Sequence, residues 1–534
     1  MPTCGEMIIG LLESYGVEFI FGIPGVHNVE LYRSLDKSSI RHVTPRHEQG
    51  AGFMADGYAR ATGKVGVCFT VTGPGLTNIL TAMGQAHADS VPMLVISTVN
   101  PIEQLGAPVG ALHELRSQRN LAAEVSAFSQ TVLHPDQLPR ALARAMAVFS
   151  SGRPRPVYLE IPVDVITAQA GDMPAGARPL PDRPTPSHVS LDKAAALLAQ
   201  ARTPLVVLGG GAVSAADEAR HLIEQLDAPT VLTVNGRGLL APDHPLLAGE
   251  NLGSVPLRQA FHDSDVVLAV GTELGETEMY PTPAELMPGG RLIRIDIDNE
   301  QLSCEPVADV PVLGDAAAAL AGLASRLTHH RSAGDGAARA AALRAAGDQA
   351  LPDSVVPYRR LMGALAAALP DAVFVGDSAQ TVYAANQFFR PRQPRSFFNS
   401  STGYGTLGYG LPAAIGAKLG VGAARPVVAL MGDGGILFTI GELASAVEAQ
   451  VPIVVLLWNN DGYGEIRNYM LDKGIAPLGV DLATPDFIII ARGFGCHAAR
   501  IDSFEQLAAE LTQSVGRTTP TVLEIRQDAA FLAG

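Results

Sequence analysis

The chain has few cysteines and no long apolar run, and each shortage excludes a class of protein. The four cysteines lie far apart in 534 residues and form no CxxC pair, which excludes a disulfide framework and a zinc knuckle. They are Cys4, Cys68, Cys304 and Cys496. No apolar run approaches the roughly 20 residues of a membrane-spanning helix, and no basic residue precedes Arg33, as a secretory signal would require. We therefore expect a cytoplasmic protein without a membrane segment.

Positive charge is also scarce. The sequence has 38 basic residues against 53 acidic ones, a formal net charge of −15, and such a field repels nucleic acids and anionic membrane surfaces. Charged residues make up 17% and hydrophobic residues 47% of the chain, the composition of a globular protein rather than a disordered one. The expected partners are therefore small molecules or proteins.

Short apolar runs alternate with longer amphipathic stretches along the chain. They span 65–71, 91–97, 156–162, 204–210, 265–271, 291–297, 427–432 and 451–458. This alternation predicts an α/β fold of repeated strand–helix units on parallel sheets. Segments 169–188 and 326–355 interrupt the rhythm and have the composition of linkers. The sequence thus predicts three doubly wound parallel-sheet domains, at 1–168, 189–325 and 356–534.

Two polar motifs follow predicted strands in the third domain. One contains Asp433, Gly434 and Gly435, and the other contains Asn460 and Gly462. The carboxyl ends of parallel strands meet at one edge of a sheet, so these groups can converge there. A carboxylate, an amide oxygen and a backbone carbonyl suit Mg²⁺, which completes its octahedron with phosphate oxygens and water. Either motif alone is also typical of an ordinary turn between a strand and a helix.

Together the two motifs resemble the hallmark of the thiamine-diphosphate enzymes, GDG followed about two dozen residues later by NN. Blocks at 21–25, 45–60, 72–78 and 152–165 also match that family, in the branch of acetolactate synthase, pyruvate oxidase and the 2-oxo acid decarboxylases. The resemblance implies a pyrimidine-binding, a central and a diphosphate-binding domain. It also implies thiamine diphosphate and Mg²⁺ as cofactors, and active sites formed between the subunits of a homodimer or homotetramer.

Glu48 is the central catalytic candidate. Apolar residues at i, i+3, i+4 and i+7 place it in the first turn of a helix that ends near Gly63. A glutamate there can simply complement the helix dipole. The resemblance implies instead that Glu48 hydrogen-bonds N1′ of the cofactor's aminopyrimidine. It also implies that Leu407 supports the folded cofactor and that the Gly405 carbonyl accepts from the 4′-amino group, although Leu407 is equally typical of a core position.

The resemblance assigns further residues to the cofactor site. They are Gly73, Asn78, Gln380, Thr381 and Tyr463, beside the third-domain motifs. Thr439 and Glu442 have the spacing of a capping box, which predicts that their side chains cap the helix after the first motif.

The reaction subtype depends on departures from the family pattern. Val26 stands where other branches carry glycine, aspartate or serine, and it would narrow the pocket without relaying a proton. His113 replaces a glutamine and is a candidate acid or substrate contact, although lone histidines are more often structural. Residues 271–276 carry two glutamates where the FAD-dependent synthases carry arginines. Because acidic side chains repel a diphosphate, we expect that FAD is not bound.

Residues 463–487, including Glu465, follow the second motif where the family places a closing helix and loop. The sequence of this segment resembles that of the 5-guanidino-2-oxopentanoate decarboxylase branch. Its carboxylates suit a guanidinium group. Such charges are also typical of an ordinary solvent-exposed helix face. The leading hypothesis is non-oxidative decarboxylation of that 2-oxo acid. A carboligase similar to acetolactate synthase and an inactive cofactor-binding regulatory subunit are the alternatives.

Overall fold

The computed structural model describes residues 1–171, 174, 176–279, 288–330 and 332–532. In that part of the chain the strands form three six-stranded sheets, in which every paired strand is parallel to its neighbour. The predicted α/β fold with three parallel sheets is therefore confirmed. Of the segments predicted as linkers, residues 172, 173, 175 and 331 lie outside the described residues.

The first sheet has the order β2-β1-β3-β4-β6-β5. Its strands are β1 (Phe19–Gly22), β2 (Arg41–Val43), β3 (Gly66–Thr70), β4 (Met93–Val99), β5 (Phe128–Thr131) and β6 (Val157–Pro162). The helices around it are α1 (Cys4–Ser14), α2 (Glu48–Thr62), α3 (Pro74–Ala88), α4 (Gln118–Ala123), α5 (Leu138–Ser151) and α6 (Val163–Ile166).

The central sheet has the order β12-β11-β10-β7-β8-β9, which is the doubly wound order 3-2-1-4-5-6 of dinucleotide-binding folds read from the other edge. Its strands are β7 (Leu205–Leu208), β8 (Thr230–Leu232), β9 (Leu247–Gly249), β10 (Val266–Val270), β11 (Arg291–Asp296) and β12 (Val310–Leu313). Its helices are α7 (His188–Gln200), α8 (Ala216–Leu226), α9 (Val255–Asp263), α10 (Glu276–Met279), α11 (Ala316–Arg326) and α12 (Gly336–Gln349). Helix α12, within the segment predicted as the second linker, packs against β9 and α9.

The third sheet has the order β14-β13-β15-β16-β18-β17. Its strands are β13 (Val373–Gly376), β14 (Phe397–Asn399), β15 (Val427–Gly432), β16 (Val454–Asn459), β17 (His497–Arg500) and β18 (Thr521–Arg526). Its helices are α13 (Val356–Ala368), α14 (Gln380–Phe388), α15 (Gly410–Val421), α16 (Asp433–Ile436), α17 (Glu442–Glu448), α18 (Gly464–Asp472), α19 (Phe487–Gly493) and α20 (Phe504–Ser514). Strand for strand, this order repeats that of the first sheet.

The eight predicted apolar runs each overlap one strand of these sheets. Both faces of such strands are covered by helices, so their side chains are buried without alternation, as in β10, where all five residues are buried. Short edge strands such as β2, with one exposed and one half-buried residue of three, carry no such run. No helix in the described residues is long and apolar enough to cross a membrane.

Helices α2 and α15 join the first and third sheets. They pack so closely that a methyl group added at Gly57 would overlap the backbone of Ala413, and one added at Gly416 would overlap the backbone of Met54. Buried side chains from both sheets continue through this contact as one hydrophobic core. Backbone-to-backbone packing of two helices requires residues without side chains at the crossing.

Replacing Gly57 by valine should therefore destabilise the protein, because the new side chain meets backbone atoms that cannot move aside. We expect a loss of at least about 3 kcal/mol, since overpacking alone costs about 1–3 kcal/mol. The control is Gly347→Ala in α12, where an added methyl group meets nothing within 4 Å; it should gain about 0.5–1 kcal/mol from helix propensity. Calorimetric unfolding would measure both, and an unchanged midpoint for Gly57→Val would contradict the packing argument.

Candidate active site

Glu48 is the first residue of α2, and Gly63 caps the helix at its other end with a φ of 78°, as expected from the sequence. The Glu48 carboxylate is 9% exposed and accepts a hydrogen bond of 3.0 Å from the Asn78 side-chain amide on α3. The His47 ring caps the helix by accepting from the backbone N–H of Gln49. Glu48 is thus held at a helix start, with Asn78 bound to its carboxylate.

A buried carboxylate from the unit of the third sheet holds the backbone segment that precedes Glu48. Glu442 is 1% exposed and accepts from the backbone N–H groups of Arg46 and His47 at 3.0 and 3.1 Å. The predicted capping box of Thr439 and Glu442 is therefore wrong. The Thr439 hydroxyl donates to the Gly408 carbonyl oxygen instead, at 2.8 Å, because both side chains bind segments distant in sequence.

A second buried carboxylate, Asp377, organises the segment that contains Gly405 and Leu407. It accepts from the backbone N–H groups of Ser378 at 2.7 Å and of Gly408 at 2.9 Å. Complete burial raises the pKa of Asp377 to about 7, against the opposing effect of these hydrogen bonds. The sequence analysis assigned Gln380 and Thr381 to the cofactor site but gave no role to Asp377, because its partner Gly408 lies 31 residues away in the chain.

Asp377 thereby fixes the start of α15 and the loop before it. Gly405 lies in this loop with a φ of 77°, a left-handed conformation that favours glycine, and Leu407 is half-buried. The neighbouring Thr406 hydroxyl donates to the Gln85 side chain of α3 at 2.8 Å. The structure therefore holds both predicted residues in one rigid loop.

Polar groups of the two third-domain motifs face one another. One terminal atom of the Asn460 amide lies 2.8 Å from the Gly462 carbonyl oxygen and 3.1 Å from Asp433 Oδ1. This atom is the amide oxygen when Asn460 Nδ2 donates to Gln380 Oε1, at 2.9 Å. Acceptor atoms repel at these distances unless a cation lies between them. The spacing fits the edge of an octahedron, which is roughly 3 Å when Mg–O bonds are about 2.1 Å. The donor set predicted from the sequence thus has the chemistry and spacing that Mg²⁺ requires.

Asp433 is positioned by the backbone of the opposite motif. The N–H of Gly462 donates to Asp433 Oδ2 at 2.8 Å, and burial raises the pKa of the Asp433 carboxyl. A cation bound beside the carboxylate would offset that desolvation. In the described residues no group of three or more His, Cys, Asp or Glu side chains could hold a metal ion, so this mixed set is the candidate.

The glycines of the first motif leave room for specific neighbours. A methyl group at Gly434 would overlap the ring of Tyr463. At Gly435 it would crowd the carboxylate of Asp377. The predicted cofactor residues Gly434, Gly435 and Tyr463 therefore form one packed unit with the metal-binding loop.

Gln380 and Thr381 begin α14, beside this unit. The Thr381 hydroxyl is buried and has no hydrogen-bond partner among the described residues, which is costly unless a ligand supplies one. A hydroxyl and free N–H groups at a helix start suit an anion such as a diphosphate. The donor chemistry here fits the cofactor that the resemblance implies.

A cavity of about 680 Å³ opens between the central and third sheets. Ser378, Gly405 and Glu465 line one side, and residues 250–253 of the central unit line the other. Of the described residues, none from 1–168 lines it. Gly405 and Glu465 therefore line this cavity, whereas Glu48 does not.

The half that contains Glu48 has its own polar feature. Val26 is 84% exposed, while the next residue, His27, turns towards His113 with ring centroids 5.0 Å apart. Both Nδ1 atoms are buried without partners. His113 also packs on Gly73, where a methyl group would overlap it. Sequence analysis singled out Val26, Gly73 and His113 but missed His27, because the pairing depends on two loops distant in the chain.

The central sheet has a separate cavity of about 320 Å³, lined by Gly210, Gly211, Arg153 and Glu273 among others. The Glu273 carboxylate, which belongs to the segment expected to disfavour FAD, forms an ion pair with Arg153. This pair neutralises an arginine that could otherwise face an anionic ligand.

Three parallel sheets, with an oxygen-rich cation set and an unpartnered hydroxyl at the carboxyl ends of the third, define an α/β protein built to hold a diphosphate-bearing cofactor. The chain belongs to the thiamine pyrophosphate enzyme family. Residues 2–122 match the family's N-terminal TPP binding domain, 191–323 its central domain and 377–525 its C-terminal TPP binding domain.

Proteins of this family align with nearly the whole chain. The probable 2-ketoarginine decarboxylase AruI of Pseudomonas aeruginosa is 47% identical over 99% of this chain and 94% of its own length. Acetolactate synthase isozyme 1 large subunit of Escherichia coli is 32% identical over 99% and 94%. The probable acetolactate synthase large subunit of Methanocaldococcus jannaschii is 30% identical over 98% and 92%.

Removing the charged member of the oxygen set should abolish tight, Mg²⁺-dependent retention of thiamine diphosphate. For Asp433→Ala we expect a loss of more than about 100-fold in affinity, since even outer-shell changes cost about 10–100-fold. The only tryptophan, Trp458, lies two residues before Asn460, so its fluorescence can report the titration. Asp472→Ala, at an exposed position of α18, is the control. Unchanged affinity in Asp433→Ala would refute the site.

Proposed function

We propose that the protein is a Mg²⁺- and thiamine-diphosphate-dependent decarboxylase of 5-guanidino-2-oxopentanoate, the compound also called 2-ketoarginine. The observation that carries this proposal is the 47% identity to a probable 2-ketoarginine decarboxylase over 99% of the chain. The relatives that are acetolactate synthases share markedly less of the sequence.

The charge of the large cavity supports a cationic substrate. Among the residues that the structure describes, its charged lining residues are Glu250 and Glu465. Glu250 is neutralised by Arg390, whose Nε donates to it at 2.6 Å, whereas Glu465 accepts from the neutral amide of Gln380. A carboxylate without a cationic partner in this contact suits the planar fork of a guanidinium. We therefore assign Glu465 to the guanidino end of the substrate.

The chain's own groups have distinct roles in this proposal. Asp433, Asn460 and the Gly462 carbonyl hold Mg²⁺ and, through it, the diphosphate. The Thr381 hydroxyl and the backbone N–H groups of the α14 start, that of Gln380 among them, bind the diphosphate directly. When bound, thiamine diphosphate supplies a nucleophilic carbon and an electron sink for the electrons released with carbon dioxide.

The remaining roles concern protons and orientation. Glu48 holds the proton at N1′ of the aminopyrimidine, and Asn78 orients the Glu48 carboxylate. The Gly405 carbonyl would accept from the 4′-amino group, and Leu407 would support the folded cofactor. In this proposal His113 supplies the proton that replaces carbon dioxide, and Val26 narrows the pocket.

The proposal includes a second copy of the chain. Glu48 does not line the large cavity of its own chain, and large apolar side chains on the first and third units are exposed. They are Val26, Val109 and Leu112 in the first unit and Tyr404, Phe438 and Tyr469 in the third. A homodimer, alone or within a tetramer, would cover these side chains and bring Glu48 of one subunit to the metal-binding half of the other.

Carboligation is the second candidate, because the sequences of the acetolactate synthases align with almost the whole chain. In that reaction a second carbonyl compound, rather than a proton, takes the place of the lost carbon dioxide. An inactive regulatory subunit would need neither Glu48 nor the oxygen set, and the chain has both. We also propose that the protein works without FAD, since Glu273 occupies Arg153 in the central cavity.

A panel of 2-oxo acids distinguishes the two reactions. With thiamine diphosphate and Mg²⁺, we expect 4-guanidinobutanal and carbon dioxide from 5-guanidino-2-oxopentanoate, with kcat/KM at least about tenfold above neutral 2-oxo acids of similar length, a difference of about 1.4 kcal/mol. Chromatography of the products separates aldehydes from 2-hydroxyketones. Acetolactate formed from pyruvate as the main product would instead establish the carboligase.

Glu48→Gln tests the proton role. Glutamine preserves the shape but cannot share a proton with N1′, so exchange of the thiazolium C2 proton for deuterium on the bound cofactor should slow by roughly two to four orders of magnitude. Folding and cofactor binding should persist. Glu448→Gln, which removes an exposed carboxylate paired with Arg46, is the control. Exchange at the unmodified protein's rate in Glu48→Gln would leave Glu48 as a helix-dipole residue only.

A further inference from the structure

Two side-chain amides connect the cation-binding oxygens to Glu465. The Asn460 Nδ2 atom donates to Gln380 Oε1 at 2.9 Å, and Gln380 Nε2 donates to Glu465 Oε2 at 3.0 Å. Gly464 leaves room for the arrangement, because a methyl group there would overlap Asn460 Nδ2. The oxygen set of β15 and β16 is thereby connected through α14 to the first turn of α18.

Glu465 sets which end of each amide donates in these two hydrogen bonds. A carboxylate only accepts hydrogen bonds, whereas an amide has one donating and one accepting end. Gln380 must therefore direct its Nε2 towards Glu465, which leaves its Oε1 directed towards Asn460. Asn460 in turn must direct its Nδ2 towards Gln380.

The consequence appears at the cation set. With Nδ2 committed to Gln380, Asn460 Oδ1 faces two other acceptors, the Gly462 carbonyl oxygen at 2.8 Å and Asp433 Oδ1 at 3.1 Å. Taken alone, the Asn460 amide would be more stable rotated by 180°, with its nitrogen donating to both oxygens. That rotation would force Gln380 to reverse as well, and Gln380 Oε1 would then face the Glu465 carboxylate.

We propose that Glu465 is a positioning residue for the metal site, which acts through Gln380 to hold the Asn460 amide oxygen towards the cation. This inference rests on the Mg²⁺ site of the proposed function. It adds a second role to Glu465, which also lines the large cavity. One carboxylate then orients a metal ligand and faces the substrate space, so the start of α18 couples the two sites.

Glu465→Gln tests the proposal because it removes no metal ligand. A glutamine at this position can donate, so both amides can reverse and Asn460 Nδ2 can hydrogen-bond Asp433 and Gly462 in place of the cation. We expect the affinity for Mn²⁺ to fall about 10–100-fold, the usual cost of losing an outer-shell partner. The measurement is the electron paramagnetic resonance signal of free Mn²⁺, titrated with the full-length protein at saturating thiamine diphosphate.

A double variant separates hydrogen-bond direction from mere packing. In Glu465→Gln with Gln380→Glu, the carboxylate accepts from both neighbours, so Asn460 must again direct its Nδ2 outward and its Oδ1 towards the cation. The net charge is unchanged. We expect this swap to recover most of the lost Mn²⁺ affinity. Asp472→Asn, at an exposed position of the same helix, should bind Mn²⁺ as the unmodified protein does.

The outcomes are distinguishable. Undiminished Mn²⁺ affinity in Glu465→Gln would overturn the positioning role, and so would an equal loss in the single and double variants with unchanged circular dichroism. If the unmodified protein does not bind Mn²⁺ with thiamine diphosphate, the cation site itself is wrong and the proposed function fails with it. A loss of Mn²⁺ affinity in the single variant and its recovery in the double variant would establish the positioning role of Glu465.

Discussion

The contact between α2 and α15 is the constraint on which the site depends. Glu48 is the first residue of α2, and the loop containing Gly405 and Leu407 leads directly into α15. Because the two helices touch at backbone distance through Gly57 and Gly416, neither can slide without opening the shared core. The two candidate site segments therefore keep a fixed relation within each chain.

Buried carboxylates add the second level of order. Asp377 and Glu442 bind backbone N–H groups of loops distant in sequence, and each is almost completely buried. Leaving such a carboxylate unpaired would be costly, so the loops must adopt the conformations that satisfy it. These acids place the segments before α2 and α15. Glu465 acts indirectly, because it orients the Asn460 amide through the Gln380 side chain.

Much of the fold could be predicted because parallel sheets covered by helices produce long apolar runs, and eight such runs coincide with strands. Edge strands such as β2 are short and partly exposed, so their pattern does not differ from that of a loop. The sequence did not show that the first and third sheets share one strand order. Apolar runs indicate where strands lie in the chain, but not which strands are neighbours in a sheet. At Glu442 the local spacing predicted a helix cap, and this prediction was wrong because the Glu442 side chain binds backbone N–H groups distant in sequence.

The sequence by itself determined the family, the parallel-sheet architecture and the candidate cation oxygens, because these depend on local patterns of apolar runs and polar residues after strands. Only the tertiary structure decided which groups share a space. It paired His27 with His113, placed Glu48 and the large cavity apart within one chain, and oriented Asn460 through Gln380. Those relations join residues tens to hundreds of positions apart, and hydrogen-bond direction and burial exist only once the sheets have packed.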